Sequence, residues 1–512
     1  MTTTDLSPVR IEQPRMHFAP RRNWMNDPNG LVFHDGRYHL YFQYNPLGSV
    51  HGNISWGHAT STDLTRWVEH APAILWDDDA QIFSGSVVVD HGNTSGFGTD
   101  AAPPLVAIYT AAAPGHQAQS LAYSVDGGYT WTKYDGNPVL DRGTADFRDP
   151  KVFRYDDGRD AYWVVVAVEA QDRQVLFHRS DDLKNWVFLS SYGPAGPVGG
   201  VWECPDMFPL AVDGDDDDVR WVLLISMNPG GIAGGSGTHY VVGQFDGVSF
   251  TSTEPHEAPG HEVDRAHTPT RAELERFGWI DFGRDCYAGV TFDGLARRDR
   301  TLIAWMDNWE YAREMPADAS SPQRSGMTLP RRLSLVRGVD GAVRLRQRPV
   351  VRVEGEEHAV QLGRLDGTAA TETRLAGAGR IRIAATLGDA RGIEVRLGAG
   401  ADAGAGVNAG AIVTIRYDRA SGRIDLDRSA HAGHLPAAFS EGQSMPVDPA
   451  GRIEWEIWVD VLNDEVSSVE LFAQDGDRVM TALVPALSGG TVVVSALGGV
   501  VSDASLGISS AL

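Results

Sequence analysis

Short runs of apolar residues, many of them β-branched or aromatic, alternate along the chain with polar segments that contain Asp-Gly. Asp-Gly between two such runs favours a tight hairpin, because both residues tolerate the backbone angles of the turn. We found no long helical periodicity, and TRAELERFG at 270–278 is the best short helix candidate. The pattern predicts an all-β protein. The dipeptide recurs at 35–36, 126–127, 135–136, 157–158, 246–247, 293–294, 340–341 and 475–476.

A longer repeat covers the first two thirds of the chain. STDLTRW (61–67) is echoed by SVDGGYTW, SDDLKNW and QFDGVSF, and each segment places an aspartate in a turn between apolar runs. The period of about 60 residues suits a four-stranded propeller blade. A weaker fifth unit runs from Cys286 to Trp309, so we predict a five-bladed β-propeller over residues 15–345. The turn aspartates are Asp63, Asp126, Asp182 and Asp246.

The remainder of the chain has a different pattern. Segments such as GRIRIAATL (379–387) and GRIEWEIWVDVL (451–462) alternate apolar and polar residues and are separated by glycine turns. A period of two over many short strands indicates a β-sandwich, which we assign to residues 355–512. The Gly/Ala-rich segment at 398–411 lies between strands and is interpreted as a loop.

Charge and composition narrow the possible partners. The chain has 44 Lys and Arg against 68 Asp and Glu, a formal charge of −24, which repels nucleic acid and anionic membrane surfaces. No stretch is apolar enough to span a membrane as a helix. Cys204 and Cys286 are too few for a disulfide framework and lack structural-zinc spacing. We expect a neutral or cationic ligand, no cofactor and no metal.

The N-terminus MTTTDLSPVRIEQPRMHF has no basic segment followed by an apolar one. If Met1 is the native start, we expect a cytoplasmic protein. If a leader was removed, we expect a secreted one.

Three carboxylates occupy similar positions in different units. Asp27 in NDPNG, Asp149 in FRDP and Glu203 in ECPD each precede a turn aspartate at a similar distance along the chain. Equivalent innermost strands of a propeller line one channel, so these acids should converge at its mouth. The alternative is that NDPNG is simply a β-turn, which its Asp, Pro, Asn and Gly residues also suit.

Converging carboxylates suit the cleavage of a glycosidic bond. A retaining glycosidase needs one carboxylate as nucleophile and one carboxylic acid as proton donor. Aromatic side chains offer flat faces to sugars, while Asn, Gln and Arg bind hydroxyl groups. The sequence contains no dinucleotide fingerprint, Walker A motif or HExxH zinc motif that would indicate another chemistry.

The ordered motifs WMNDPNG (24–30), FSGS (83–86), FRDP (147–150), ECPD (203–206) and AWMDNW (304–309) resemble glycoside hydrolase family 32, the family of invertases, levanases and inulinases. The resemblance covers about residues 17–335, and the tail resembles the family's C-terminal sandwich. It implies Asp27 as nucleophile, Glu203 as general acid/base and Asp149 as transition-state stabiliser. It also implies a pocket for a terminal fructosyl ring lined by Asn26, Gln43, Phe83, Ser84, Arg148, Tyr287 and Trp309.

Some of these residues have plainer alternatives. Phe83 and Trp309 could be core aromatics. Cys204 is interpreted as a small buried residue with a weak S–H donor. Arg148 should lower the pKa of Asp149, while Glu203 in a less polar setting should stay protonated.

The sequence departs from the family at two places. His51 stands where a Trp is common, so it could keep an aromatic wall at the pocket, where we count it among the substrate-binding residues, or merely face solvent. Cys286 and Gly289 replace bulkier residues, and we expect this change also to touch the pocket or its rim.

We therefore expect a retaining hydrolase that releases terminal non-reducing β-D-fructofuranosyl units from sucrose, fructo-oligosaccharides, levan or inulin. Transfer of the fructosyl group to a sugar by the same site is the alternative. A fructan-binding propeller without turnover is a further one, but it would require a missing carboxylate. The sequence does not distinguish a monomer from a homo-oligomer.

Overall fold

The computed structural model describes residues 14–99, 102–254, 269–317, 322–353, 355–366, 373–375, 378–399, 411–448, 451–487 and 490–510. Its regular structure is almost entirely β, which confirms the predicted class. The helix candidate at 270–278 contains one short helix, α1 (Arg271–Leu274), whose N-cap Thr270 and Glu273 form a capping box. Within the described ranges, no helix has the length and apolar content to cross a membrane.

The first two blades of the propeller are antiparallel meanders, with the innermost strand first in the chain. Blade 1 contains β1 (Asn23–His34), β2 (Arg37–Tyr44), β3 (Ser55–Ser61) and β4 (Trp67–Glu69). Blade 2 contains β5 (Gln81–Val89), β6 (Leu105–Ala113), β7 (His116–Ser124) and β8 (Thr132–Lys133).

The next two blades repeat this order. Blade 3 contains β9 (Phe147–Asp156), β10 (Ala161–Glu169), β11 (Gln174–Ser180) and β12 (Val187–Tyr192). Blade 4 contains β13 (Val201–Val212), β14 (Asp215–Asn228), β15 (Gly237–Phe245) and β16 (Phe250–Ser252), and the short β17 (Gly278–Trp279) pairs with β15.

Blade 5 is less regular and also contributes to closing the propeller. Its meander is β18 (Tyr287–Thr291), β19 (Thr301–Met306), β22 (Arg331–Arg337) and β23 (Val343–Pro349). The predicted fifth unit contains only its first two strands, and the boundary predicted at residue 345 falls inside β23. Between them, β20 (Gln323–Arg324) pairs in parallel with β1, and β21 (Gly326–Met327) pairs with β19. Two 3-10 helices, Arg297–Asp299 and Ala312–Glu314, flank β19.

The repeated aspartates lie in the turns between the third and fourth strands of blades 1 to 4. In blade 1, Asp63 Oδ1 accepts hydrogen bonds from the Thr65 and Arg66 backbone N–H groups at 2.9 and 2.8 Å. Asp182 makes the same pair of bonds in blade 3. The repeat therefore arises because each turn needs a side chain that satisfies its backbone donors.

The C-terminal part is a sandwich of two six-stranded sheets, as predicted. One sheet has the order β24-β35-β26-β31-β32-β33, and the other has β25-β34-β27-β28-β29-β30. Their apolar faces meet through residues such as Ile383, Ile457, Val395 and Val494. Most of the Gly/Ala-rich segment at 398–411 lies outside the described residues.

The strands of the sandwich are β24 (His358–Asp366), β25 (Thr373–Leu375), β26 (Gly379–Thr386), β27 (Gly392–Ala399), β28 (Val413–Asp418), β29 (Arg423–Asp427), β30 (Gln443–Pro446), β31 (Arg452–Val461), β32 (Val466–Ala473), β33 (Arg478–Pro485), β34 (Gly490–Leu497) and β35 (Val500–Ser510). Two further 3-10 helices are Ala437–Ser440 and Gln474–Gly476.

Candidate active site

The innermost strand of every blade is interrupted at the same level. In each of β1, β5, β9, β13 and β18, two residues face one residue of the neighbouring strand, which is a β-bulge. A bulge turns side chains away from the regular alternation of the strand. The five bulges are Asn26–Asp27, Phe83–Ser84, Asp149–Pro150, Cys204–Pro205 and Ala288–Gly289. Eight of the predicted site residues lie in them or directly before them, Gln43 lies opposite the first, and His51 and Trp309 lie outside the innermost strands.

The three carboxylates lie on three blades and converge. Asp27 belongs to blade 1, Asp149 to blade 3 and Glu203 to blade 4. Cys204 touches two of them, because its thiol donates to Asp27 Oδ2 at 3.4 Å and its backbone N–H donates to Asp149 Oδ2 at 3.0 Å. Arg148 lies 3.8 Å from Asp149 and donates to Glu203 Oε1 at 3.1 Å. Their positions are not identical, since Asp27 is the second residue of its bulge, Asp149 is the first of its own, and Glu203 directly precedes its bulge.

Asp27 is held rigidly in a buried position. Its exposed fraction is 9%; Ser84 Oγ donates to Oδ2 at 2.7 Å, and Asn26 Nδ2 donates to Oδ1 at 3.2 Å. Burial raises the pKa of Asp27, and the bond from Ser84 opposes that shift. Glu203 nearby raises the pKa further, since two negative charges disfavour each other.

Arg148 lowers the pKa of Asp149 as predicted, but it does not set the net shift, which is upward. Burial raises the pKa of Asp149 to about 7, and the Arg148 guanidinium offsets only part of that rise. The sequence indicated the neighbouring cation but not the depth of burial, and desolvation is the larger effect here.

Glu203 also differs from expectation. Its side chain is 21% exposed and accepts hydrogen bonds from Arg148 and from the Tyr287 hydroxyl. Its setting is therefore polar, and the predicted less polar environment is wrong. Among the three acids, it is the one that faces the open funnel most.

The polar pocket candidates lie in the walls around this cluster. Trp24 Nε1 donates to Asn26 Oδ1 at 2.8 Å and orients that amide. Gln43 Nε2 donates to Asn29 Oδ1 at 2.6 Å and to the Ile82 carbonyl at 3.0 Å. Trp24 was not chosen from the sequence, although its place in the WMNDPNG motif was an available signal.

The aromatic candidates form one wall. His51 contacts Trp24, Phe83 and Trp309, with ring centroids 5.9, 6.3 and 5.5 Å apart. Phe83 and Trp309 are partly exposed rather than fully packed in the core. Burial lowers the pKa of His51 to about 4, so the ring is neutral near pH 7. His51 therefore completes an aromatic surface and does not merely face solvent.

The two cysteines are free and buried. Burial raises the pKa of both thiols well above the usual range, which makes them inert as nucleophiles. Cys286 packs in an apolar cluster with Ile280 and Leu302, and a Cβ added at Gly289 would lie 2.8 Å from Ile280 Cδ1. The expectation that this change touches the pocket or its rim is therefore wrong, since these two positions face the apolar core that blades 4 and 5 share.

No group of three or more His, Cys, Asp or Glu side chains in the described part of the chain is arranged to hold a metal ion.

Models of a single family match both parts of the chain. The Glycosyl hydrolases family 32 N-terminal domain matches residues 17–349, and the Glycosyl hydrolases family 32 C terminal matches residues 345–508. A levanase from Bacillus subtilis (strain 168) is 41% identical over 488 residues, which cover 92% of this chain and 66% of the levanase. The chain thus spans about two thirds of that relative's length.

Solved structures are similar over both domains. An exo-inulinase from Aspergillus awamori has a TM-score of 0.86 at 34% identity, covering 98% of this chain and 99% of that one. A β-fructofuranosidase from Schwanniomyces occidentalis, complexed with fructosyl-erythritol, has a TM-score of 0.82 at 28% identity and covers 99% of both chains. The family matches over nearly the whole length, together with the five motifs on the walls of one funnel, establish that this chain belongs to glycosyl hydrolase family 32.

Proposed function

We propose that this protein is a retaining glycoside hydrolase that releases terminal non-reducing β-D-fructofuranosyl units from sucrose, fructo-oligosaccharides, levan or inulin. The observation that carries the proposal is the convergence of Asp27, Asp149 and Glu203, from three blades, on one aromatic-walled funnel. Each acid has different neighbours, which suits a mechanism that needs different roles from chemically similar groups.

Asp27 is the nucleophile in this proposal. It is fixed from two sides by Ser84 and Asn26, and both bonds stabilise the ionised form that must attack the anomeric carbon. Its burial leaves little of the carboxylate open to water, so a bound substrate can exclude what remains. Attack by Asp27 forms a covalent fructosyl-enzyme and releases the leaving group.

Glu203 is the general acid and base. It is the most exposed of the three carboxyl groups, so it can reach both the departing oxygen and the incoming water. In the first step it donates a proton to the leaving group, and in the second it takes a proton from water. Arg148 and Tyr287 fix its two oxygens and therefore its orientation.

Asp149 is the stabiliser that binds fructosyl hydroxyl groups. Its carboxylate is held by the Cys204 N–H group and lies beside Arg148. A charged acceptor fixed in a buried site strengthens hydrogen bonds to hydroxyl groups as positive charge develops on the sugar ring.

The closed end of the funnel supports attack from a chain end. The space beneath Asp149 and Cys204 is a cavity of about 20 Å³, lined by Asn29, Ser86 and Lys151 among others. It holds about one water molecule and cannot pass a sugar. We infer that only a terminal fructosyl unit reaches the acids, so free fructose should be the first product from levan and inulin.

The leaving group provides the sharpest test. In Glu203→Gln, activity should fall by roughly 100-fold or more on sucrose, whose glucose oxygen needs a proton. The loss should be far smaller on an aryl fructoside whose leaving group is stable as an anion, with a burst of leaving group before slow hydrolysis. Glu394→Gln is the matched control, because Glu394 is a buried acid of the sandwich paired with Arg416.

Equal losses on both substrates in folded Glu203→Gln would contradict the assignment of the acid.

Chromatography of products from sucrose at high concentration separates hydrolysis from fructosyl transfer, since transfer gives trisaccharides and hydrolysis gives fructose and glucose.

A further inference from the structure

The residues that face the five bulges are equivalent positions in the five blades. In each case one residue of the second strand lies opposite the two bulge residues. Three of these residues are apolar and two are polar. In blade order they are Gln43, Thr110, Ala167, Ile225 and Ala304.

The two polar members both reach the innermost strand of the next blade. Gln43, in blade 1, donates to the Ile82 carbonyl of β5. Thr110, in blade 2, accepts a hydrogen bond at 2.9 Å from the backbone N–H of Asp149 in β9. Bonds of this kind fix one blade against its neighbour at the level of the carboxylates.

Thr110 is part of a larger buried arrangement. Its Oγ1 lies 3.0 Å from Gln119 Oε1 and 3.3 Å from the Ser84 carbonyl, and either oxygen can accept its hydrogen. Gln119 is the cross-strand partner of Thr110 on β7, and its Nε2 donates to the Phe147 carbonyl at 2.8 Å. Both side chains are fully buried. The pair therefore contacts backbone groups of the innermost strands of both blade 2 and blade 3.

The backbone of Asp149 needs such support. Its φ is +63°, in the left-handed region that non-glycine residues rarely adopt. A strained conformation persists only where the surroundings determine it. The bond from the Asp149 N–H to Thr110 is one such constraint, and the contact with Ser84 links it to the residue that binds Asp27.

We propose that Thr110 and Gln119 form a positioning pair that fixes the backbone of Asp149 and couples its place to that of Ser84 and Asp27. Both side chains are fully buried and therefore out of reach of a substrate in the funnel, and neither residue lies in a motif of the sequence. The proposal rests on the role given to Asp149 under the proposed function, because it concerns where that carboxylate stands.

The test is Thr110→Val, which keeps the shape of the side chain and removes its hydroxyl. We expect kcat/KM on sucrose to fall about 10- to 100-fold, as for a displacement of a catalytic group by a fraction of an ångström. We expect Thr110→Ser, which keeps the hydroxyl, to remain within about threefold of the wild type. Thr60→Val is the matched control, because Thr60 is a buried threonine of blade 1 whose hydroxyl contacts only His70 among the described side chains.

A second readout separates positioning from stability. Thr110→Val and Thr60→Val should lower the melting temperature similarly, but only the former should change the pH profile of kcat. The hydrogen bond from the Cys204 N–H group lowers the pKa of Asp149, which is about 7. Displacement of the carboxylate should weaken that bond, so the limb of the kcat profile that reports Asp149 should move to higher pH. Should Thr110→Val not fold, Gln119→Met tests the pair with an expected loss of roughly three- to tenfold.

Wild-type kinetics in folded Thr110→Val, or a Thr110→Ser variant as impaired as Thr110→Val, would overturn the positioning pair. Failure of the proposed function has a different signature. If Asp149→Asn retained full activity, the role of Asp149 would be wrong whatever Thr110→Val did.

Discussion

The funnel and the interface between the two domains both bury ionisable groups, but they balance the charges differently. At the interface, His17 bonds to Asp460 and Glu470, each at 2.8 Å. Arg331 bonds to Glu470 at 2.6 Å and to Asp281 at 2.9 Å. In the funnel, Arg148 pairs with Asp149 and Glu203, and it is the one cation within ion-pair distance of any of the three carboxylates in the part of the chain that the structure describes.

The direction in which the pKa of each buried carboxyl group shifts depends on how many cations lie beside it. Burial alone raises the pKa of a carboxyl group, but Arg331 and His17 reverse this effect and lower the pKa of Glu470. In the funnel, burial prevails, and the pKa of Asp27 and of Asp149 is raised. At the interface, two cations offset most of the charge of three carboxylates and hold the propeller and the sandwich together. In the funnel, a single cation leaves the three carboxyl groups largely unbalanced and poised to react with a substrate. The depth of burial alone would not distinguish the two regions.

The largest expected difference comes from removing one aspartate in each region. Asp27→Asn should lower kcat on every fructoside by on the order of 10⁴-fold or more, because no fructosyl-enzyme can form. Its stability at pH 8 should be retained or raised, since an unfavourable buried charge is lost. Asp460→Asn should do the opposite, with lower stability and normal kcat in the folded fraction. Urea unfolding and sucrose hydrolysis measure both quantities.

If Asp27→Asn were both stable and fully active, the distinction between a reactive funnel and a structural interface would not hold. Loss of stability in Asp27→Asn as large as that in Asp460→Asn would show that the funnel acid is also structural.

The second expected difference concerns the interface alone. Arg331→Met should lower the free energy of unfolding by roughly 3–5 kcal/mol, because it leaves Glu470 and Asp281 buried with too few cations. Arg332→Met is the matched control. Arg332 is the next residue along the chain, but its side chain is 53% exposed and pairs with Asp299 at 3.4 Å. A surface pair of this kind contributes about 0–1 kcal/mol. If both variants unfolded at the same urea concentration, the interface charges would not be essential for stability.

The sequence predicted those parts of the fold that depend on residues close together in the chain. Asp63 and Asp182 marked blade turns because each satisfies backbone donors within a few residues of itself. The carboxylates in the funnel could be predicted because the repeat places them at similar points of different blades. Apolar alternation likewise predicted the strands of the sandwich.

Other features depend on groups that are far apart in the chain. His17 meets Glu470 only after the two domains pack together, and nothing in its local sequence signals a partner. The net pKa shift of Asp149 depends on burial by several blades, whereas the sequence showed only Arg148 beside it. The proposed positioning role of Thr110 depends on two contacts made only in the folded protein. Thr110 faces the bulge of β5, and its hydroxyl accepts from the Asp149 N–H group of the next blade.

The smallest effect, and the most specific, is the dependence of stability on pH. A group whose pKa is raised by folding contributes stability that is full below its unfolded pKa and is lost as pH rises through its folded pKa. For Asp149 that window runs from 3.8 to about 7, and for His17 it runs from 6.5 to about 9. Each group contributes a slope of at most about 1.4 kcal/mol per pH unit. Stability should therefore fall across both windows, for a different reason in each.

Substitution assigns each window to its region. Asp149→Asn should flatten the fall between about pH 4 and 7 and leave the fall above pH 7 in place. His17→Gln, although less stable overall, should flatten only the upper window. Urea unfolding at intervals of half a pH unit measures both slopes. If Asp149→Asn flattened the upper window as well, the two clusters would titrate as one network, and the separation between a reactive funnel and a structural interface would not hold.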